Sequence, residues 1–233
     1  MKLRGIHHIT AIATDPQRNL DFYARVLGLR FVKRTVNFDD PSAYHFYFGD
    51  RTGRPGTAIT FFPWPGARRG PTLEVRQAKK TERLLVTLGF ELIGEEESRR
   101  RFSVNERSTS ACVDLIARAD GEFGVNSAGT VHHIAFRCAD EEEQLHWRDQ
   151  LVDLGFGVTP VIDRQYFHSI YFRESGGILF EIATEAPGFT ADEPVEQLGQ
   201  NLKLPPQYEE QRATIEQSLP KISLDRQLTT MSS

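Results

Sequence analysis

The chain has few cysteines, no large excess of charge and no long apolar run, and each of these shortages excludes a class of protein. Its two cysteines, Cys112 and Cys138, form no CxxC motif, so the sequence predicts neither a disulfide framework nor a thiolate zinc site. We expect two free, half-buried thiols instead. The formal net charge of -4 provides no basic field, which disfavours nucleic-acid binding.

Membrane insertion and export are also disfavoured. No stretch approaches the roughly 18 apolar residues of a membrane helix, and the start, MKLRGIHHIT, lacks the apolar region of a secretory signal. We therefore expect no membrane partner and predict a cytoplasmic protein. Hydrophobic residues at 39% and charged residues at 26% are ordinary for a globular chain, and 233 residues can bury a substantial core.

A Leu-Gly-apolar triplet occurs three times and divides the chain into similar units. Its glycines are Gly28, Gly89 and Gly155. Each triplet follows an amphipathic stretch, so we interpret the glycines as helix stops. In the first stretch, Asp15 and Pro16 predict the N-cap and the first helical residue.

Short runs typical of β-strands follow each glycine, and matching strands open the first and third units. Those opening strands read IHHI and VHHI. In the middle unit the opening strand is compressed into PTLEV, residues 71–75, and contains no histidine. The predicted fold class is therefore α+β, with three βαβββ modules and a C-terminal tail.

The predicted module boundaries follow from the turn-rich segments between the repeats. Residues 1–66 form the first module and carry a histidine doublet. Residues 71–118 form the middle module, without metal ligands. Residues 130–184 form the third module, with a second doublet and a glutamate, and residues 185–233 form a tail with one helix near residues 207–219.

A carboxylate lies inside an apolar run of the third module. Glu181 belongs to ILFEIAT, whose other residues are apolar or small, so its strand should be buried. Desolvating an unpaired carboxylate costs several kcal/mol, and the position therefore requires a cation, a salt-bridge partner or a proton. Taken alone, a structural salt bridge explains Glu181 as well as a metal does.

Histidine doublets stand at the same point of two modules, His7-His8 in the first and His132-His133 in the third. Successive strand residues face opposite ways, so each doublet should send one imidazole directly into a site. Two imidazoles and one carboxylate leave coordination positions open on non-haem Fe(II). Together with Glu181, the matching doublets favour a metal centre.

Longer segments of the chain are similar to one known family. They are GIHHIT, TVNFDDPSAYHFYFGD, TFFPWPGARRG, GTVHHIAF, TPVIDRQYFHSIYFR, GGILFEIAT and LPPQYEEQR. The βαβββ units resemble the vicinal-oxygen-chelate superfamily, which includes glyoxalase I, bleomycin-resistance proteins and type I extradiol dioxygenases. Within it, these segments resemble the hydroquinone-type ring-cleaving dioxygenases, and the resemblance covers nearly the whole chain.

The resemblance implies a reaction, a cofactor and roles for individual residues. The reaction is cleavage by O2 of a small aromatic ring bearing two hydroxyls, para or vicinal. The metal is Fe(II), with Mn(II) compatible, bound by His8, His133 and Glu181. Five further polar residues are implied around the site: His7, Thr10, His132, Arg164 and Tyr171. Among these, the family places Arg164 to stabilise negative charge and Tyr171 or His132 to move the phenolic proton. By their position beside a predicted turn alone, Arg164 and Tyr171 are more typical of surface residues.

Two other functions remain open. A glyoxalase-like lyase or isomerase would need a further carboxylate or amide ligand, and the closing strand of the first module, TAITFF, offers none. A metal-free binding protein of the resistance type would not need the full set of His8, His133 and Glu181.

The remaining histidines have no assigned chemistry. His45 alternates with Tyr44 in an apolar strand and is predicted to be core packing or pocket wall. His146, on the predicted third helix, is expected at the surface, and His168 is ambiguous.

The resemblance implies four consecutive βαβββ modules in members of the family, whereas this sequence shows three. The missing segment falls at Gly70-Pro71 and corresponds to the family's second module. We expect the concave face of the unpaired middle module to lie open to water, lined by Phe90, Leu92, Phe102, Val104 and Val113. Because monomers seldom expose a large apolar patch, the sequence predicts a homodimer through residues 71–118.

Overall fold

Two β-sheets and four α-helices make up residues 2–69, 78–104, 112–116 and 126–224, which are the residues that the computed structural model describes. The strands are β1 (Ile6–Ala13), β2 (Arg30–Asn37), β3 (Asp40–Gly49), β4 (Ala58–Pro63), β5 (Glu91–Glu96), β6 (Arg99–Ser103), β7 (Cys112–Ile116), β8 (Val131–Cys138), β9 (Ile162–Asp163), β10 (Phe167–Arg173), β11 (Leu179–Pro187) and β12 (Leu202–Lys203). The helices are α1 (Pro16–Leu20), α2 (Ala78–Thr87), α3 (Glu141–Asp153) and α4 (Arg212–Ser218). None of these helices has the length and apolar character needed to cross a membrane.

The opening strands of the first and third modules lie side by side at the centre of a nine-stranded sheet. Its order is β12-β2-β3-β4-β1-β8-β11-β10-β9, and β1 pairs antiparallel with β8. On each side of this pair, the opening strand has the last strand of its own module as a parallel neighbour, β4 beside β1 and β11 beside β8. The mixed α+β class predicted from the sequence is confirmed.

The helix ends follow the predicted capping chemistry. The Asp15 side chain accepts a hydrogen bond from the backbone N–H of Arg18 at 2.9 Å, and Pro16 is the first helical residue. The chain then continues as a π-helical segment, Asp21–Val26. Gly28, where this helical stretch stops, has a φ of +68°, which glycine adopts without the steric cost of a Cβ.

The apolar residues of the middle module are covered within the chain, which corrects the expectation of an open apolar face. Phe90, Phe102 and Val104 are 1%, 0% and 8% exposed. They belong to one apolar cluster with residues of α2 and of the third module, and the Phe90 ring lies 5.4 Å from that of Phe136 on β8. The expectation is wrong for these three residues because α2 and the outer face of the large sheet cover them. Leu92 does remain 42% exposed.

The other face of the β5-β6-β7 sheet carries charge. Arg101 Nε donates to Asp114 Oδ1 at 2.6 Å, and Arg99 lies 3.6 Å from the same carboxylate. The predicted opening strand at residues 71–75 and the junction Gly70-Pro71 lie outside the described residues.

The tail crosses back over the first module. Lys33 on β2 is fully buried and contacts Asp192 and Glu193 of the tail at 2.6 Å each. β12 then extends the large sheet beside β2. Where one helix was expected near residues 207–219, the structure has a 3-10 segment, Pro206–Gln211, followed by α4.

Candidate metal centre and its pocket

Three neighbouring strands bring His8, His133 and Glu181 together. They lie on β1, β8 and β11 at the centre of the large sheet, and their side chains are 2%, 5% and 0% exposed. His8 Nε2 lies 3.3 Å from His133 Nε2 and 3.6 Å from Glu181 Oε2, and His133 Nε2 lies 3.0 Å from Glu181 Oε2. The structure thus places all three predicted ligands at one point.

The triangle formed by these atoms has the size of one face of a metal coordination sphere. Donors bound at about 2.1 Å and separated by bond angles of about 90° to 110° lie roughly 3.0 to 3.4 Å apart. Glu181 Oε2 is buried and accepts no hydrogen bond from the described residues, although His133 Nε2 is 3.0 Å away. A buried carboxylate oxygen directed at two ring nitrogens, with no donor of its own, is what a bound cation would complete. The donor set therefore fits a divalent metal.

Each histidine doublet has the same internal contact. His7 Nδ1 lies 2.9 Å from His8 Nδ1, and His132 Nδ1 lies 2.8 Å from His133 Nδ1. For His8 and His133 to offer a lone pair at Nε2, their Nδ1 atoms must carry the proton and donate it to the neighbouring ring. The first histidine of each doublet therefore orients the second and fixes its tautomer. Residues that hydrogen-bond to a metal-binding histidine usually have this role.

Burial keeps the rings of His7, His8 and His132 neutral. It lowers the pKa of His8 to about 3, of His7 to about 4 and of His132 to about 4. Neutral imidazole is the form that binds a metal.

The carboxyl of Glu181 is ionised. Burial by itself would raise its pKa, but positive charge at His8 and His133, which a metal supplies when these rings are neutral, and a short hydrogen bond donated by the Ser169 hydroxyl to Oε1 lower it. Oε1 is thereby occupied, and Oε2 is left for a metal.

A cavity of about 410 Å³ opens beside His8 and His133. Both modules supply its walls. The first module provides Asn37, Phe38, Asp39, His45, Tyr47 and Phe62, and the third provides His132, Thr159, Ile162, Arg164, Phe167, Tyr171 and Leu179. Its combination of apolar walls with polar side chains that can orient a ligand is typical of a small-molecule site.

Arg164 and Tyr171 lie in this cavity, and Tyr171 is not the surface residue that its sequence context suggested. Arg164 Nε donates to the Tyr171 hydroxyl at 3.1 Å. Its two terminal nitrogens donate to the two carboxylate oxygens of Asp39, at 3.0 Å each. Burial, followed by the charge of Glu181, raises the pKa of Tyr171, so its phenol keeps its proton near neutral pH.

Thr10 contacts the pocket only through other residues. Its hydroxyl lies 2.6 Å from that of Thr60, which lies 2.9 Å from His45 Nε2, while the Tyr47 hydroxyl lies 2.8 Å from His45 Nδ1. Thr10 does not line the cavity, whereas His45 and Tyr47 do. The structure therefore places Thr10 at the buried end of a hydrogen-bonded chain that orients His45.

The polar residues of the site that received no chemical role from the sequence include His45, Tyr47, Ser169 and Asp39. For three of them a signal existed. His45 and Tyr47 are two residues apart on one strand and so share a face, as do Ser169 and Tyr171. Asp39 gives no such signal, because an exposed aspartate in a turn is ordinary.

Comparison with known proteins gives consistent matches over most of the chain. The model of the Glyoxalase/Bleomycin resistance protein/Dioxygenase superfamily matches residues 5–182. A Bacillus subtilis (strain 168) protein named as the ring-cleaving dioxygenase MhqO is 40% identical over 303 residues, covering 94% of this chain and 96% of that protein. The chlorohydroquinone/hydroquinone 1,2-dioxygenase of Sphingobium indicum is 26% identical, covering 89% of this chain and 93% of that protein.

A solved structure has the same fold. The crystal structure of a Bacillus subtilis protein named as a dioxygenase matches with a TM-score of 0.90 and 39% identity, covering 95% of this chain and 98% of the other. The match to MhqO runs over 303 positions, more than the 233 residues of this chain. That relative therefore contains residues without a counterpart here.

Proposed function

We propose that this chain, which belongs to the Glyoxalase/Bleomycin resistance protein/Dioxygenase superfamily as its sequence predicted, is a ring-cleaving dioxygenase acting on small aromatic diols with O2. The names of MhqO and of the Sphingobium relative support this reaction. The observation that carries it is the buried triangle of two imidazole nitrogens and one carboxylate oxygen without a hydrogen bond. His8, His133 and Glu181 would hold Fe(II), and Mn(II) suits the same donors.

A bound Fe(II) would supply the redox chemistry that couples a ring diol to O2, and the chain would position the ring and exclude water. An apolar cavity of about 150 Å³ already accommodates benzene, so the 410 Å³ here suits one substituted ring. Phe38, Phe62 and Phe167 give it apolar walls.

Two residues can donate hydrogen bonds to the hydroxyl oxygens of the substrate. The Tyr171 oxygen accepts a hydrogen bond from Arg164 and retains its own proton, so Tyr171 can donate to a ring oxygen. His132 accepts at Nδ1 from His133 when His133 binds through Nε2, so a neutral His132 carries its proton on Nε2 and is also a donor. We therefore assign both to orienting the diol. To move the phenolic proton, His132 would have to accept a proton from the substrate and release one to another group.

The glyoxalase-like alternative lacks a ligand. Among the described residues, the grouping with metal-ligand spacing is His8, His133 and Glu181, and β4, the strand beside β1, reads AITFFP without a carboxylate or amide. A metal-free binding protein would leave the buried Oε2 of Glu181 without a partner.

Oxygen consumption separates these functions. Protein loaded anaerobically with Fe(II) receives hydroquinone, chlorohydroquinone or catechol, and O2 uptake is then recorded on admitting air. We expect uptake matched by loss of the aromatic absorbance, with Glu181→Gln inactive. Conversion of substrate without O2 would favour a lyase or isomerase. Tight binding without conversion would favour a binding protein, and either outcome would refute the dioxygenase.

The module organisation is part of the same proposal. We assign residues 1–66, 71–118 and 130–184 to three βαβββ modules and residues 185–233 to a tail, with one family module missing at Gly70-Pro71. The equivalent strand orders around β1 and β8 support the repeat, and the unmatched residues of MhqO support the loss.

A homodimer through residues 71–118 remains a prediction. Fewer exposed apolar residues support it than the sequence suggested. Leu92, Ile93 and Ile116 are 42%, 43% and 42% exposed. Among the described residues, β5 and β7 are the outer strands of their sheet. Light scattering decides it, because a stable monomer at micromolar concentration would rule the dimer out.

A further inference from the structure

Arg164 is the one arginine or lysine among the described residues that line the cavity, and its hydrogen-bonding edge is already occupied. Its two terminal nitrogens donate to both oxygens of Asp39 at 3.0 Å each, and Nε donates to Tyr171 at 3.1 Å. A guanidinium edge with two parallel donors is the geometry that recognises a carboxylate on a ligand. Here a carboxylate of the protein fills that edge.

Asp39 and Arg164 come from different modules and meet at the rim of the cavity. Asp39 lies in the turn between β2 and β3, and Arg164 lies between β9 and β10. The Arg164 side chain is 15% exposed and that of Asp39 is 71% exposed. The cation is thus inside the cavity, and its counter-ion is at the solvent-exposed edge.

The turn that carries Asp39 is held in place by two contacts. The backbone N–H of Asp39 donates to the Asn37 side chain at 3.0 Å, and the Tyr208 hydroxyl of the tail donates to the Phe38 carbonyl at 3.0 Å. Asp39 is therefore preorganised to accept from Arg164, and little ordering is needed to keep the pair closed.

We propose that Asp39 is a specificity-determining residue that neutralises Arg164 and makes the pocket selective for uncharged ring diols over rings bearing a carboxylate. A carboxylated ring must either displace Asp39 from Arg164 or leave its own carboxylate without a guanidinium partner, beside the carboxylate of Asp39. An alkyl- or halogen-substituted ring meets neither penalty. This inference rests on the proposed function for the identity of the ring, and on the ion pair for the charge discrimination.

Two phenols with a single hydroxyl test the discrimination without turnover. Phenol and 4-hydroxybenzoate differ by one carboxylate, and their dissociation constants are measured by calorimetry on protein loaded with Mn(II). The variants are Asp39→Asn and, as a matched control for charge, Asp40→Asn. Asp40 accepts from Ser42, and asparagine keeps an acceptor oxygen there. The double variant Asp39→Asn with Arg164→Gln identifies the responsible cation.

We expect wild-type protein and Asp40→Asn to bind phenol more tightly than 4-hydroxybenzoate. Asp39→Asn should bind 4-hydroxybenzoate about tenfold or more tightly than wild type does, because a charge-assisted hydrogen bond is typically worth at least that factor. Its affinity for phenol should change by less than about twofold, and the double variant should lose the gain.

Three results would overturn the proposal: an unchanged affinity of Asp39→Asn for 4-hydroxybenzoate, a wild-type preference for 4-hydroxybenzoate, or no binding of either probe. Failure of the dioxygenase is distinguishable. If the affinity ratio shifts as expected but no ring diol consumes O2, the charge selection stands and the reaction assignment fails.

Discussion

Replacing Glu181 by glutamine should abolish the stabilisation of the fold by metal while keeping the shape of the side chain. A ligand that binds only the folded chain stabilises it by about 2.7 kcal/mol at 100 times its dissociation constant. In a chain of 233 residues, 1 kcal/mol corresponds to roughly 2 to 4 °C in Tm, so Mn(II) should raise the Tm of wild-type protein by roughly 5 to 11 °C. Even a 100-fold loss of affinity in Glu181→Gln reduces the stabilisation at the same Mn(II) concentration to about 0.4 kcal/mol, or roughly 1 to 2 °C.

Calorimetry with and without Mn(II) measures the rise of Tm in wild-type protein and in Glu181→Gln. The variant Glu185→Gln is a control on the same strand. Glu185 is 39% exposed and lies 3.4 Å from Arg137, so its loss should leave the metal effect intact. An equal rise of Tm in Glu181→Gln and wild type would refute the ligand assignment. If Glu181 were only a structural salt bridge, the variant would lower the metal-free Tm and wild type would show no response to Mn(II).

The remaining predictions concern other residues. His133→Ala should lose stoichiometric iron while Arg164→Ala retains one iron per chain with lower turnover, measured by metal analysis; full iron in His133→Ala would contradict the assignment. Lys33→Met leaves Asp192 and Glu193 without their buried cation. The free energy of unfolding measured in urea should therefore fall by about 3 to 5 kcal/mol. A fall below about 1 kcal/mol would contradict this and show that water or rearrangement replaces the lysine. Burial raises the pKa of Cys138 to about 12, so peptide mapping after iodoacetamide treatment should find Cys138 unmodified in native protein and modified after denaturation; rapid native labelling would contradict its burial.

The grouping of the three candidate metal ligands could be predicted from the sequence because its signals are local. A glutamate in an apolar strand and two histidine doublets at equivalent positions each violate the ordinary pattern of a strand. Alternation along a strand predicts that only one histidine of each doublet enters the centre directly, and the structure agrees. It could not show that the other ring contacts the ligand through Nδ1, because that depends on side-chain rotamers. Asp39 was beyond prediction for a different reason, since its importance depends on an arginine 125 positions away in the chain.

The middle module shows where reasoning from sequence fails. Its apolar face was predicted to lie open to water, because alternation along a strand identifies two faces but does not say which face has a partner. In the structure the apolar face, which includes Phe102, packs in a cluster with α2 and the third module. The opposite face carries Arg101 and Asp114. The partner was another part of the same chain, and only the tertiary contacts reveal it.

These contacts also explain how the candidate centre would survive the module loss proposed at Gly70-Pro71. On β8, His133 and Ala135 point to one face, and Ile134 and Phe136 to the other. The middle module packs on the Phe136 side, whereas the centre lies on the His133 side. Its candidate ligands depend on β1, β8 and β11 being adjacent, and β1 pairs directly with β8, which in turn pairs with β11. These pairings involve no residue of the segment 71–118, so the site depends on the β1–β8 and β8–β11 registers rather than on the number of modules.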